Sequence, residues 1–492
     1  MNENFVILLP ILLPILTGVI LLCLPRFKSR KAILGFSGVS LVLSMAILFY
    51  TITCKDIGYT FFNIIKEIPI FFTLDALGKI FAVIISVAVL GTFIYATIYM
   101  KHENNEKMFF GFYLIVYGVL IGASSAGNII TLYMFYELMT LLSMPLVIHT
   151  LKREAIMASL KYLFYSFCGA YMALFGILIL QKYTDVSLFV ANGSIDITTA
   201  TANQGIIFIA IFLMILGFGV KAGVFPMHGW LPTAHPVAPS PASAILSAII
   251  AKIGVLAIIR TIFYLVGPNF IRGTWVQYAW MILSLVTVFL GSMLAYREKI
   301  IKKRFAYSTV SQISYILLGL SLLTEMGFVG SILHVVFHAF IKTALFLVAG
   351  AIIFKTGKTK CTELKGIGKE MPVTIWCFTI ISLGLIGIPF TSGFISKWYL
   401  AVGALNSQIH IIAYLAPVVL LVSACLTAGY LLPISIKGFF VGDNFDYSRL
   451  KKNEPHLLMV IPIMLFTAIT VFYGMFPNQL VEIVSKIATE IF

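Results

Sequence analysis

In the segment HVVFHAFIKTALFLV, the residues His334, His338 and Lys342 recur at i, i+4 and i+8. On a helix that spacing puts two imidazoles and an amine on one face over about 12 Å of rise. Such groups exchange protons when a low dielectric weakens their hold on charge. Four more ionisable residues sit in equally apolar surroundings: Glu137 in NIITLYMFYELMTLLSMPLVI, Lys221 in FGVKAGVF, Lys252 in LSAIIAKIG and Lys397 in GFISKW. One charged side chain at a bilayer centre costs roughly 2.5–3.5 kcal/mol on insertion scales, so a set of this size must turn away from lipid. The chemistry this suggests is a relay of protons between buried acids and bases. Tyr307, Ser308, Ser311, Gln312 and Tyr315, in RFAYSTVSQISYILL, offer hydroxyls and an amide that could hold water along the same line.

Each residue also has a plainer reading. Glu137 could form a structural ion pair with Lys161, and Lys221 or Lys252 could snorkel toward a headgroup, although their depth argues against it. His334 and His338 could be hydrogen-bonded core residues; a metal site is disfavoured because no third or fourth ligand accompanies them. His228 and His235 lie in the corner FPMHGWLPTAHPVAPSP, where steadying a turn and conducting protons are equally served. Arg260 reads as a snorkelling residue near a helix end, and Glu325 as a loop residue.

The elements that must position these groups follow from composition. Of the 492 residues, 60% are hydrophobic and 11% charged, far from the balance of a soluble domain. A bilayer core of about 30 Å needs about 20 apolar residues per helix, and such runs recur along the chain. They do not alternate polar and apolar residues, so the expected class is an all-α polytopic membrane protein rather than a barrel. Spans are expected near 5–24, 32–53, 79–99, 108–125, 128–149, 158–180, 206–232, 241–265, 275–295, 306–323, 328–354, 373–401, 411–436 and 457–477, about fourteen in all. Two are long and interrupted, the first by Gly217, Gly219, Gly223 and Pro226 and the second by Gly384, Gly387, Pro389 and Gly393. Gly and Pro weaken or break a helix, and paired broken helices point to a transport pathway built from inverted repeats. The expected organisation is an N-terminal three-helix segment (1–107), a first five-helix repeat (108–265), a second (275–436) and a C-terminal helix (457–492).

Charge sets the sidedness. The formal net charge is +15, which in a soluble protein could mark a nucleic-acid binder. Here the basic residues cluster in the loops 25–31, 100–107, 150–157, 296–304, 355–370 and 437–455, on one side of the expected bundle. The positive-inside rule makes that side cytoplasmic, with both termini outside and no role in binding nucleic acid. The first run, Phe5 to Leu24, is followed rather than preceded by basic residues, so it reads as a retained helix and not a cleaved signal. Cys23, Cys54, Cys168, Cys361, Cys377 and Cys425 stand singly, without the spacing of a disulfide frame, a zinc site or a redox centre, and no cofactor is expected.

At the residues singled out, the chain resembles the antiporter-like subunits shared by respiratory complex I, Mrp-type multisubunit sodium/proton antiporters and energy-converting membrane-bound hydrogenases. The resemblance covers roughly residues 70 to 440. It rests on YELMTLLS with Glu137, KAGVFPMHGWLPTAHPVAPSPASAILSAIIAKIG with Lys221 and Lys252, KRFAYSTVSQ, HVVFHAFIKTALFLVAGAI, and GIPFTSGFISKW with Lys397. The AHPVAPSPASA wording is nearest to Mrp D-type and hydrogenase-type members. Two departures are Ile301, where family members often carry Asp, and Ser314, where they carry Gly.

The resemblance implies fourteen helices, two inverted five-helix repeats and a hydrated central axis. On it Glu137 would pair with Lys221, Lys252 would bridge the halves, His334, His338 and Lys342 would continue the axis, and Lys397 would serve the exit. It also implies a multi-pass protein of a prokaryotic plasma membrane, partnered by other membrane subunits, carrying protons. Longer complex I members have a C-terminal lateral helix, whereas this chain is expected to stop soon after its last span. Any sodium path should need another subunit, because Glu137 is the one evident intramembrane carboxylate. The rival reading, a stand-alone carrier for a small ionic substrate, needs a polar cavity that the single file of Lys and His does not suggest. An enzyme active site has no support: no nucleotide loop, nucleophile triad or redox ligand set is present.

Overall fold

The computed structural model describes residues 3–54, 57–65, 68–442 and 452–492. Its helices are α1 (Leu9–Cys23), α2 (Arg30–Thr53), α3 (Ala76–Tyr99), α4 (Glu106–Ser124), α5 (Ile129–Val147), α6 (Arg153–Leu180), α7 (Gln204–Ala222) and α8 (Leu231–Val237). A continuous helical span, α9 (Ser240–Val266), follows. Then come α10 (Trp275–Arg297), α11 (Ile301–Ser321), α12 (Glu325–Thr356), α13 (Pro372–Ile386), α14 (Ser392–Leu405), α15 (Ile411–Phe439), α16 (Leu457–Met475) and α17 (Asn478–Ile491).

Among the described residues, 12 helices are long and apolar enough to cross a membrane. Of the fourteen expected spans, the two that fall short are informative. Helix α11 carries a polar row through its middle, and the 373–401 run is divided into α13 and α14. Both interruptions foreseen from Gly and Pro are present. Helix α7 ends at Gly223 (φ 80°) and α13 at Gly387 (φ 92°), both in the left-handed region that glycine enters without a Cβ clash.

Two helices form the centre. Helix α9 is buried throughout and α12 along nearly all its length, whereas α15 is largely exposed. Helix α12 packs on α11, α14, α16 and α3, so the imidazoles it carries lie at the heart of the bundle.

The two ends of the bundle are distinct. At one end the basic loops meet: Arg30 pairs with Glu106, the Lys107 amine donates to Leu24 O, and the His102 ring packs on Phe354. Ile301 N donates to Thr359 O, and Gly366 N to Lys437 O. Part of the last basic loop, 443–451, lies outside the described residues. At the other end stands a feature missed in an all-helical reading, the antiparallel hairpin of β1 (Gly58–Ile65) and β2 (Ile68–Thr73), paired from Gly58↔Thr73 to Ile65↔Ile68 with register shifts between Thr60 and Phe62 and between Asn63 and Ile65. It is tied down by Gly127 N to Phe71 O and Thr73 N to Ser125 O, so the sheet caps α4 and α5. The stretch 457–492, expected as one C-terminal helix, forms two, and the second, α17, turns Val484, Ile487, Ala488 and Ile491 inward. It lies across the start of α12, where Thr489 donates to Glu325, the first residue of that helix and not a loop residue.

Candidate functional site

Lys221 stands in the last turn of α7, where the unpaired carbonyls of a helix C-terminus favour a cation. Its side chain is fully buried. The amine donates to the Tyr162 hydroxyl at 2.6 Å and to Ser166 Oγ at 2.9 Å, both on α6 and one turn apart. It also sits 4.0 Å from the centroid of the Tyr162 ring. Hydrogen bonds to a charged group contribute about 1.5–3 kcal/mol each, which offsets part of the several kcal/mol cost of burying the ammonium. Tyr162 in turn shares a 2.8 Å bond with Ser143 on α5, the helix that carries Glu137.

The direct Glu137–Lys221 pair that the resemblance implied is absent: no ion pair among the described residues involves either side chain. The Glu137 Oε1 is buried without a hydrogen-bond partner. Nor does Glu137 pair with Lys161, whose amine lies over the Tyr165 ring at 5.8 Å.

Lys252 is held by the local irregularity of its own helix. Leu246–Ile250 is a π-helical segment, which breaks the regular carbonyl ladder, and Ser247 O accepts from the Lys252 amine at 2.6 Å. Lys342 on α12 donates to Phe305 O at 3.1 Å and to Ser308 Oγ at 2.6 Å, both on α11. Above it the aromatic groups form a stack. His338 lies 5.7 Å from His334 at an interplanar angle of 9°, and His334 lies 5.6 Å from Tyr315 at 15°. The Lys397 amine in turn lies over the Tyr315 ring, 5.0 Å from its centroid. Lys397 completes the row by capping the broken end of α13, donating to Leu385 O at 2.6 Å and Ile386 O at 2.9 Å.

The sequence-derived lysines and histidines therefore lie inside the bundle in a row of helices, α7, α9, α12 and α14, with His338, His334 and Lys397 linked through Tyr315 and each other lysine held by its own partners, while Glu137 on α5 makes no ion pair with them. Both nitrogens of His338, Nε2 of His334 and the Gln312 amide are buried without protein partners. His235 also has neither ring nitrogen paired and stacks on Phe346 at 4.7 Å, and His228 Nδ1 is likewise unpaired. Among the described residues, no group of three or more His, Cys, Asp or Glu could hold a metal.

Sequence reasoning missed the partners. Tyr162, Ser166 and Ser396, which lies 2.9 Å from His334 Nδ1, look like ordinary residues of apolar helices, and only tertiary packing reveals them. Lys302 is buried and donates to Ala238 O at 2.9 Å. Arg260 does not snorkel. It is 2% exposed and makes two 2.6 Å bonds to Asp75, with its guanidinium 4.5 Å from the Tyr264 ring and 5.1 Å from that of Phe189. Its partner lies 185 residues away in the chain.

The family signature described as NADH:quinone oxidoreductase/Mrp antiporter, TM matches residues 126–427, which include every residue of this row. The chain belongs to that family. Its relatives include the N-type NADH-quinone oxidoreductase subunit of Desulforudis audaxviator, 29% identical over 84% of each chain. Another is the D-type Na(+)/H(+) antiporter subunit of Alkalihalophilus pseudofirmus, 28% identical over 99% of this chain and 97% of that one. Among solved structures, a chain of the Mrp complex of a Dietzia species superposes with a TM-score of 0.83 at 21% identity, covering 100% of this chain and 98% of that one, which shows the shared fold. As a family member the chain is a multi-pass membrane protein.

Proposed function

We propose that this chain is a proton-translocating, antiporter-like subunit of a multisubunit membrane complex, an Mrp-type cation/proton antiporter or a respiratory or hydrogenase assembly. The observation that carries this reading is the set of buried Lys221, Lys252, Lys342, His338 and His334, continued by half-buried Lys397, in which the amines are held by hydroxyls and carbonyls rather than by carboxylates. Neutral oxygens steady an ammonium yet do not hold its proton by countercharge, so each station can load and release. When Glu137 is ionised its field favours a protonated Lys221. When a neighbouring subunit weakens that field, the proton leaves for Lys252 and moves on through Lys342 and the two imidazoles toward Lys397. The unpaired nitrogens of His334 and His338 are the acceptors that such a transfer needs.

Membership in a family whose relatives are named as subunits of larger complexes supports partner membrane subunits and disfavours a stand-alone carrier. The subunit needs no redox chemistry of its own, and any redox reaction belongs to its partners. We place the basic end of the bundle in the cytoplasm and both termini outside a prokaryotic plasma membrane, with two inverted repeats meeting at the row. The test is proton uptake by vesicles holding the assembled complex with Glu137→Ala. Uptake should fall by at least about tenfold, the equivalent of losing about 1.4 kcal/mol of electrostatic coupling; a wild-type rate in an intact complex refutes the assignment.

A further inference from the structure

At the hairpin end, a cavity of about 370 Å³ opens on the bundle surface between α3, α12, α16 and α17. Its walls are apolar: Ile80 and Val83 come from α3, Val336 and Phe340 from α12, and Leu480 and Ile483 from α17. The exceptions are Lys79 and Tyr473. Lys79 is partly exposed, and its amine has no hydrogen bond or ion pair among the described residues. It lies one turn into α3, at the depth where a cation in a bilayer reaches the headgroups.

The fold marks that depth independently. Helix α17 is amphipathic, with Glu482, Lys486 and Glu490 on its exposed face, the pattern of a helix lying in the interfacial plane. The exposed aromatics Phe472 and Phe476 stand beside Tyr473 at the end of α16, the placing of an interfacial aromatic belt. An apolar slot that leads away from an unpartnered amine at headgroup depth suits a molecule with a negative head and a hydrocarbon tail.

We propose that this cavity binds an anionic phospholipid, with its phosphate on Lys79, its glycerol region beside Tyr473 and an acyl chain in the slot between α3 and α12. The occupant would touch the helix of the imidazoles from behind. Val336 and Phe340 follow His334 and His338 by two residues each, about 200° around a helix, so the lipid packs on the face opposite the buried row. It would brace α12 where that helix carries the stack.

The experiment is native mass spectrometry of the full chain released from detergent, after titration with phosphatidylglycerol or phosphatidylcholine, for wild type, Lys79→Ala and Val83→Trp. A single lysine near an anionic lipid surface contributes about fivefold in affinity. Wild type should retain one phosphatidylglycerol about fivefold more tightly than Lys79→Ala does, Lys79→Ala should hold both lipids alike, and Val83→Trp should hold neither. Thermal unfolding of each variant near the wild-type temperature shows that the fold survives. Equal retention of phosphatidylglycerol by all three proteins overturns the proposal. So does a photocrosslinker at Val83 that, in the intact complex, captures a neighbouring protein subunit and not lipid, because the slot would then be a subunit interface.

Discussion

Arg260 and Lys221 are both fully inside the bundle, yet the fold treats them in opposite ways. Arg260 receives a bidentate carboxylate from Asp75 and two flanking rings, a set that holds its charge permanently. Lys221 receives two hydroxyls and the face of a tyrosine, with its nearest acid out of contact. Lys252, Lys342 and Lys397 repeat the second pattern with backbone carbonyls and a serine. The contrast separates charge used as a fastener from charge that can be loaded and released. Asp75 also caps α3 by accepting from Gly78 N, so the fastener ties the start of α3 to the later part of α9.

The contrast can be broken by giving Lys221 what Arg260 has. Ser166→Asp places a carboxylate where the hydroxyl now accepts from the amine, which should pin the proton and cut transport by more than about 100-fold, since a close opposite charge shifts such an equilibrium by 1–3 pK units. The complex should still assemble, as judged by co-purification of its subunits, and uptake within threefold of wild type would undo the distinction.

Tyr162→Phe is gentler. It removes one of the two hydroxyls and leaves the ring, so transport should fall about tenfold, within the roughly 1–3 kcal/mol cost of an unmet buried hydrogen bond. A vesicle assay of initial rates checks this, and an unchanged rate would mean that the hydroxyl contributes packing alone.

Asp75→Asn should leave the transport rate of the assembled complex nearly unchanged but destabilise the chain by about 3 kcal/mol, because a buried guanidinium loses its countercharge. Thermal unfolding measures that loss. The pH dependence has a definite sign. Partial desolvation raises the Asp75 carboxyl's hold on its proton, but the adjacent Arg260 and the Gly78 amide outweigh it and keep the group below the ordinary carboxylate range. Its contribution is therefore complete above the unfolded value near pH 3.9 and disappears only as pH drops through the lower folded value. Wild type and Asp75→Asn should keep a constant stability difference from pH 7 to about 5, and converge in stronger acid.

The spans, the two broken helices and the residues of the row were legible because apolar runs, Gly and Pro, and charges at membrane depth are local signals. Helix α11 was less so, since its polar row lowers the apolar contrast that marks a span. The hairpin lay in a stretch read as a loop between spans, although GYTFFNII is rich in aromatic and β-branched residues. Arg260 misled because nothing within its own segment announces Asp75. The π-helical turn that serves Lys252 has no signature in AILSAIIAKIG. The gap between Glu137 and Lys221 depends on how α5 and α7 pack, which the spacing within neither helix records.

The most direct measurement is proton uptake by the reconstituted complex carrying Lys221→Arg. Arginine keeps the positive charge at the end of α7 but does not give up its proton at any accessible pH. If Lys221 works by releasing a proton, uptake should fall below about 1% of wild type, a loss of at least about 2.7 kcal/mol, while the complex remains intact. Uptake at the wild-type rate would show that the charge alone suffices, and would contradict the relay.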